Sequence, residues 1–214
     1  MMQNNDKSIG IFEYSSCNIS SLKNAFNILK IKPLVSKNFG DLLNCKKIII
    51  PGVGNMKSVS RDELKKTSDK LKIFIDNGGI IYGICLGLQM LFDYSEEGEL
   101  KTLGLVKGKS ISIKDNYGIN LNVQFQKLIF NNKKNNPVIK KLFEDIKADE
   151  KFYFLHKYYC EPHDPSVIKI YSKVNHLLMP SMFVKKNIIG TQFHPELSKE
   201  VGIKFLKNFL NLTF

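Results

Sequence analysis

The 214-residue chain has no tryptophan, a single arginine (Arg61) and no apolar run near the roughly 18 to 20 residues that span a membrane. Residues Met1 to Lys7 are polar and lack the apolar stretch of a signal peptide, so a cytoplasmic protein is expected. The scarcity of arginine matters because the formal charge of +12 otherwise invites a nucleic-acid reading. Specific base and phosphate recognition favours the planar guanidinium fork, whereas here the charge is carried by scattered lysines in runs no longer than two. Lysine and asparagine are both abundant and both have A/T-rich codons, so genome composition accounts for the charge more simply than a nucleic-acid partner. Cys17, Cys45, Cys85 and Cys160 form no CxxC pair, which argues against a zinc site, a redox dithiol and a disulfide framework. No metal or cofactor is expected.

At 43% hydrophobic and 24% charged residues, the chain has the balance of an ordinary globular protein, long enough for one well-cored domain over 1–214. "SIGIFEY" (8–14), "KKIIIPG" (46–52) and "GGIIYGI" (78–84) read as buried strands. Between them lie helical patterns at 19–30, with Leu22, Ala25, Phe26 and Leu29 on one face, and at 61–76. Apolar strands alternating with helices indicate a parallel sheet covered on both faces. A further helix follows Cys85 through Leu88, Met90, Leu91 and Phe92. Beyond about residue 103, "SISI", "LNVQFQKLIF", "KFYFLHKYY", "VIKIYSKV", "SMFVKK" and "NIIGTQF" read as strands, and "NNKKNNP" (131–137) as a loop tip. A last helix over 199–211 places Val201, Phe205 and Phe209 at helical spacing. The expectation is an α/β fold with a mostly parallel mixed sheet and a strand-rich second half.

Three short stretches carry chemistry. "GICLG" (83–87) has the form G-x-C-x-G, the thiol counterpart of a nucleophile elbow, in which a strand turns sharply into a helix. A Cβ at Gly83 or Gly87 is expected to collide across such a turn. The pattern alone reads equally well as a buried core cysteine. "TQFHPELS" (191–198) adds His194 and, two residues on, Glu196: a base for the thiol proton and a carboxylate to orient it. "PGVGN" (51–55) is a glycine-rich loop after a strand, whose peptide planes are free to turn N–H groups toward an oxyanion. It lacks the GxxxxGK[ST] and GxGxxG patterns of nucleotide sites. His156 and its aromatic neighbours read as core or interface; His163 and His176 read as solvent-facing.

These stretches, in this order, resemble the class I (triad) glutamine amidotransferases, and among them the glutaminase subunits of imidazole glycerol phosphate synthase. "PGVGNM", "GICLGLQMLF", "SEEGE", "LGLVKG", "FYFLHKYY" and "TQFHPELS" carry the likeness over nearly the whole chain. The resemblance implies a flavodoxin-like fold and a Cys85–His194–Glu196 triad. It implies backbone oxyanion donors at Gly52, Val53 and Leu86, and glutamine contacts from Gly52, Gly54, Gln89, Lys157 and Tyr158. It also implies a (β/α)8 cyclase partner that receives the ammonia in a heterodimer, and a role in histidine synthesis.

Some positions depart from the family pattern. Ser15 and Cys17 replace glycines in "EYSSCN" (13–18), Ile119 stands in "YGIN" where tryptophan is usual, and Lys157 replaces a serine. Leu197 follows the triad glutamate where a lysine is common. None touches the triad, and several fall on the glutamine rim or the partner face. They keep open an alternative, a paralogous glutaminase that feeds amidination of a surface sugar.

Overall fold

The computed structural model describes residues 9–15, 17–131 and 136–213. The expectations placed on Met1 to Lys7, on Ser8 and Ser16, and on positions 132–135 of the loop tip lie outside the described residues. The first half alternates as its pattern predicts: β1 (Ile9–Phe12), α1 (Ser20–Ile28), β2 (Leu34–Ser36), β3 (Lys47–Ile50), α2 (Arg61–Asp76), β4 (Ile80–Ile84) and α3 (Leu86–Met90). Helix α2 starts at a true cap, since the Ser60 hydroxyl accepts from the Glu63 amide and Asp62 and Glu63 occupy the positive first turn.

The second half is β5 (Tyr94–Ser95), β6 (Leu100–Lys101), β7 (Gly108–Ser112), α4 (Ile113–Tyr117), β8 (Asn122–Lys127), β9 (Ile129–Phe130) and α5 (Pro137–Leu142). It continues with β10 (Lys151–His156), β11 (Tyr158–Pro162), β12 (Ile168–Val174), β13 (Leu177–Lys185), β14 (Ile188–Thr191) and α6 (Lys199–Leu210). The main sheet has eight strands in the order β2-β1-β3-β4-β14-β13-β12-β9. Pairing is parallel from β2 to β14 and antiparallel from β14 to β9, so the sheet changes character at β14. Two smaller sheets, β10-β8 and β11-β7-β5-β6, stand apart from it. Among the described residues no helix is long and apolar enough to cross a membrane.

The period-2 alternation of the central strands builds two cores, one on each face. Ile49, Tyr82, Ile84 and Ile189 face α1 and α6, while Ile48, Ile50, Ile81 and Ile188 face α2 and α3. Helix α6 is fastened by Phe205, fully buried among the rings of Tyr82, Phe143, Phe152 and Phe193. Burying one such side chain is worth about 1.5–3 kcal/mol. Phe193 belongs to this cluster, so the packing of α6 also fixes the chain on either side of it, at Gln192 and His194.

Four expectations need correction. "KFYFLHKYY" is two strands in different sheets, divided at exposed Lys157, and "LNVQFQKLIF" breaks after Lys127. "SISI" ends as a strand at Ser112, whose hydroxyl accepts from the Lys114 amide and starts α4 instead. Helix α3 stops at Met90, short of Leu91 and Phe92.

Candidate active site

Three adjacent parallel strands, β3, β4 and β14, end at the same edge of the main sheet. The chain leaving β3 is Pro51–Gly54, the chain leaving β4 is Cys85, and the chain leaving β14 leads through Gln192 to His194. Sheet topology therefore brings together groups more than 100 positions apart in sequence. This is the carboxyl edge, where open α/β sheets hold their ligands.

Cys85 sits at φ 46° and ψ −100°, a strained conformation for a residue with a side chain. Its amide donates to the Thr191 carbonyl at 2.7 Å, which ties the elbow to β14. A Cβ on Gly83 would meet the Gly87 carbonyl oxygen and the Leu88 nitrogen at 2.7 Å, as the elbow requires. A Cβ on Gly87 would instead strike the Ile50 carbonyl at 2.0 Å, so this glycine lets the elbow lie against β3 rather than across its own turn. With only Leu86–Met90 behind it, the elbow has little helix dipole to draw on, and a charge on sulfur must be met by side chains.

His194 is 1% exposed, and its Nδ1 pairs with Glu196 Oε1 at 2.7 Å. Its amide donates to the Tyr153 carbonyl at 2.9 Å and its carbonyl accepts from the Ser198 hydroxyl, so the ring is held by its own backbone as well. It makes no helix-capping bond with its side chain. Burial alone would push this imidazole down; the neighbouring Cys85 sulfur and the Glu196 carboxylate outweigh it and hold the group well above its ordinary value. With Nδ1–H donated to Glu196, Nε2 is the nitrogen left for the sulfur.

A cleft of about 230 Å³ opens over this line. Gly52, Val53, Gly54, Cys85, Leu86, Gln89, Lys157, Tyr158 and His194 all border it, while Glu196 stands behind His194. Gln89 is 3% exposed, donates Nε2–H to the Tyr158 carbonyl at 3.4 Å, and keeps a buried Oε1 with no partner among the described residues. Lys157 lies exposed at the rim.

The oxyanion side differs from expectation. The Leu86 amide donates to the Gly52 carbonyl at 3.4 Å, so the loop presents an acceptor to the donor it was expected to assist. The flanking carbonyls are held too: Tyr14 Oη donates to the Pro51 oxygen at 2.9 Å, and the Asn18 amide to the Val53 oxygen at 3.0 Å. Three successive carbonyls with a donor each fix the loop in this orientation. Gly52 is required for the close approach, since a Cβ there would lie 1.7 Å from the Ile84 carbonyl.

Several residues of the site escaped the sequence reading. Glu97, inside "SEEGE", borders the cleft and accepts from the Met56 amide at 3.3 Å; burial raises its carboxyl above the ordinary value. Asn122 is buried, and its Nδ2 meets His156 Nε2 at 2.9 Å. His156 donates Nδ1–H to the Tyr158 carbonyl at 2.9 Å, and burial lowers its pKa to about 3, so it stays neutral. Gln192, two residues before His194, donates Nε2–H to Cys85 Sγ at 3.5 Å. Its place two residues before His194 in "TQFH" was the available signal. Among the described residues no cluster of His, Cys, Asp and Glu could hold a metal ion.

A strained cysteine backed by a buried His–carboxylate pair, at the carboxyl edge of an α/β sheet, defines a thiol-dependent amide-cleaving class, and the chain belongs to the class-I glutamine amidotransferase family, whose model matches residues 11–212. Within that family it is similar to the imidazole glycerol phosphate synthase subunit HisH of Methanocaldococcus jannaschii, at 36% identity over 95% of this chain and 99% of the relative. The Pelagibacter ubique subunit of the same name is also 36% identical, over 95% of this chain and 99% of that relative. The solved structure of PurLQS from Thermotoga maritima has the same fold, with a TM-score of 0.69 at 20% identity over 95% of this chain and 97% of that one.

Proposed function

We propose that this chain, folded as one amidotransferase domain over 1–214, is the glutaminase subunit of an imidazole glycerol phosphate synthase. The observation that carries this reading is the Cys85–His194–Glu196 line under the cleft, in a chain that matches subunits of that name over 95% of its length. Cys85 attacks the side-chain carbonyl carbon of glutamine as thiolate. His194 holds the thiol proton at Nε2 and delivers it to the departing ammonia, leaving a thioester on Cys85. Water, deprotonated by His194, then attacks the thioester, giving glutamate and the free thiol. Glu196 fixes the imidazole with its proton on Nδ1 throughout. No metal or cofactor takes part.

The cleft supports a division of labour around glutamine. Glu97 and the free Oε1 of Gln89 are the acceptors for the substrate's ammonium end, and Lys157 with the backbone at Tyr158 faces its carboxylate. The oxyanion is stabilised by the Leu86 amide and, after the Gly52–Val53 peptide turns over, by the Val53 amide. In its present orientation the loop is inhibitory, which supports a glutaminase that is slow until a partner reorganises it.

That partner is a (β/α)8 cyclase subunit in the cytoplasm, which takes the ammonia to form imidazole glycerol phosphate and an aminoimidazole carboxamide ribotide. An exposed apolar strip supports the docking: Leu121 at 43% exposure, Val123 at 47% and Phe125 at 39%, running away from the cleft along β8. The departures at Ser15, Cys17, Ile119, Lys157 and Leu197 favour the surface-sugar alternative, but the relatives described above give that reading no support.

The test is glutamate release from glutamine by this chain with its co-encoded cyclase-like partner, with and without the histidine-pathway ribotide, and with Cys85→Ala as blank. Strong stimulation by the ribotide, lost in Cys85→Ala, is the expected result. Cys85-dependent release indifferent to the ribotide transfers the assignment to the sugar pathway; no Cys85-dependent release overturns the glutaminase reading.

A further inference from the structure

Leu155 sets a problem for the sulfur. The Cys85 thiol donates to the Leu155 carbonyl at 3.6 Å, a contact that suits S–H and repels S⁻. The short helix α3 offers little compensation. A hydrogen-bond donor to Sγ beside His194 would oppose that repulsion.

We infer that Gln192 is a catalytic residue of this site, whose side-chain amide donates to the Cys85 sulfur and stabilises the thiolate, opposite the repulsion of the Leu155 carbonyl. Its Nε2 lies 3.5 Å from Sγ. Gln192 is fully buried, and its backbone amide is bonded to the Ser181 carbonyl at 2.9 Å, so β13 fixes the position from which the side chain reaches. The chain bends at Gln192 and Phe193 between β14 and His194, and from this bend Gln192 reaches the sulfur while residues 191 and 193 face the core. There Thr191 bonds Tyr82 and Phe193 packs in the aromatic cluster. Cys85 thus receives a neutral amide donor from the same short segment that carries His194.

The far end of the Gln192 amide points to the same role. Its Oε1 is buried and has no partner among the described residues. A side chain present only to fill space would be selected to avoid an orphaned acceptor. Turning the amide over would put oxygen against sulfur and orphan both N–H groups, so the orientation with Nε2 on Sγ is the one the site sustains. The same donor serves twice, since Cys85 becomes a leaving thiolate when water resolves the thioester.

This inference rests on Cys85 being the nucleophile, but its readout does not depend on glutaminase activity. The measurement is the rate of Cys85 carboxamidomethylation by iodoacetamide against pH, followed on the Cys85 peptide, in wild type and in Gln192→Leu and Gln192→Met. Both variants keep approximate volume and remove the donor. The midpoint is expected to move up by about one pH unit, with kcat for glutamate release falling about 10- to 100-fold, the scale of a charge-assisted hydrogen bond. KM changes little. An unmoved midpoint in a folded variant overturns the proposal. If neither variant folds, the Gln192 side-chain amide protons of the wild type decide by NMR. They should shift with pH in step with Cys85 alkylation, and stop doing so in Cys85→Ala; amide protons blind to Cys85 ionisation also overturn it. Wild type that alkylates with a Gln192-dependent midpoint, yet releases no glutamate, sinks the glutaminase reading and leaves the thiolate role standing.

Discussion

The two walls of the cleft are held by different means. On the nucleophile wall, Cys85, Gln192, His194 and Glu196 have side chains almost wholly buried, placed by strand ends and by the Phe193–Phe205 packing behind them. On the oxyanion wall, residues 51–55 grade from buried Gly52 to exposed Gly54, and hydrogen bonds from Tyr14, Asn18 and Leu86 hold their carbonyls. Repacking the first wall means disturbing a core, whereas the second turns over by exchanging a few hydrogen bonds. In the proposed reading the nucleophile is preorganised and the oxyanion loop has to turn, which is the arrangement a subunit needs if its chemistry must wait for a partner.

The comparison is broken most severely at Glu196. In Glu196→Gln the amide can donate to Nδ1, which forces the proton onto Nε2 and denies the thiol its base. We expect kcat for glutamate release to drop about 10³- to 10⁴-fold, with KM for glutamine within a few-fold of wild type, as loss of the orienting carboxylate does in triad enzymes. Steady-state kinetics in the partner complex provide the check. A drop below tenfold removes Glu196 from the rigid wall's machinery.

The next effect compares two imidazoles that border the same cleft. His194 is held above its ordinary value by Cys85 and Glu196 against the pull of burial, while burial takes His156 down from 6.5 to about 3. Their linkages to stability have opposite signs. The raised group lends stability at low pH and loses it as pH rises through its folded value. The lowered group lends stability above about 6.5 and loses it as pH falls toward about 3, because only the unfolded chain then takes up the proton. For one proton the slope is at most about 1.4 kcal/mol per pH unit. Urea unfolding of wild type and His156→Gln at pH 7, 5.5 and 4.5 isolates it, since the carboxylates common to both cancel. The wild type should lose its advantage stepwise as pH falls; a constant difference would show that His156 titrates normally.

Much of this site was legible in the sequence, for reasons that individual residues make plain. "GICLG" and "FHPE" reveal their chemistry because elbow and triad members sit at fixed local offsets, and α2 was legible to its last residue because Ser60, Asp62 and Glu63 punctuate its start. The signals for α4 and α5 were also present, in Ser112 with Gly118 and in the Asn136–Pro137 cap, but were overshadowed by β-branched neighbours. What the sequence could not supply is which carbonyl meets which donor. Asn122 meets His156 because it lies inward on β8 opposite that residue, a matter of register. The Gly52 carbonyl meets the Leu86 amide and the Pro51 carbonyl meets Tyr14, donors more than 30 positions away on either side, and no local pattern encodes these pairings.

The smallest effect, and the sharpest test of the switchable wall, is Tyr14→Phe. Tyr14 is 1% exposed, and its hydroxyl does one visible thing, which is to donate to the Pro51 carbonyl. Removing the oxygen leaves a buried carbonyl unpaired and should cost about 1–2 kcal/mol of stability. If the hydroxyl only fastened the core, activity would be untouched. If it is one of the pins that hold the loop carbonyl-inward, then freeing Pro51 lowers the barrier to turning the next peptide, Gly52–Val53, and glutamate release without the partner should rise severalfold. Stimulation by the partner should shrink by the same factor, since both report one equilibrium of the loop. Urea unfolding together with glutaminase assays, with and without the partner, reads both quantities. Lower stability with unchanged partner-free activity would assign the loop's orientation to Leu86 and Asn18 alone, and narrow the switch to the two backbone bonds they make.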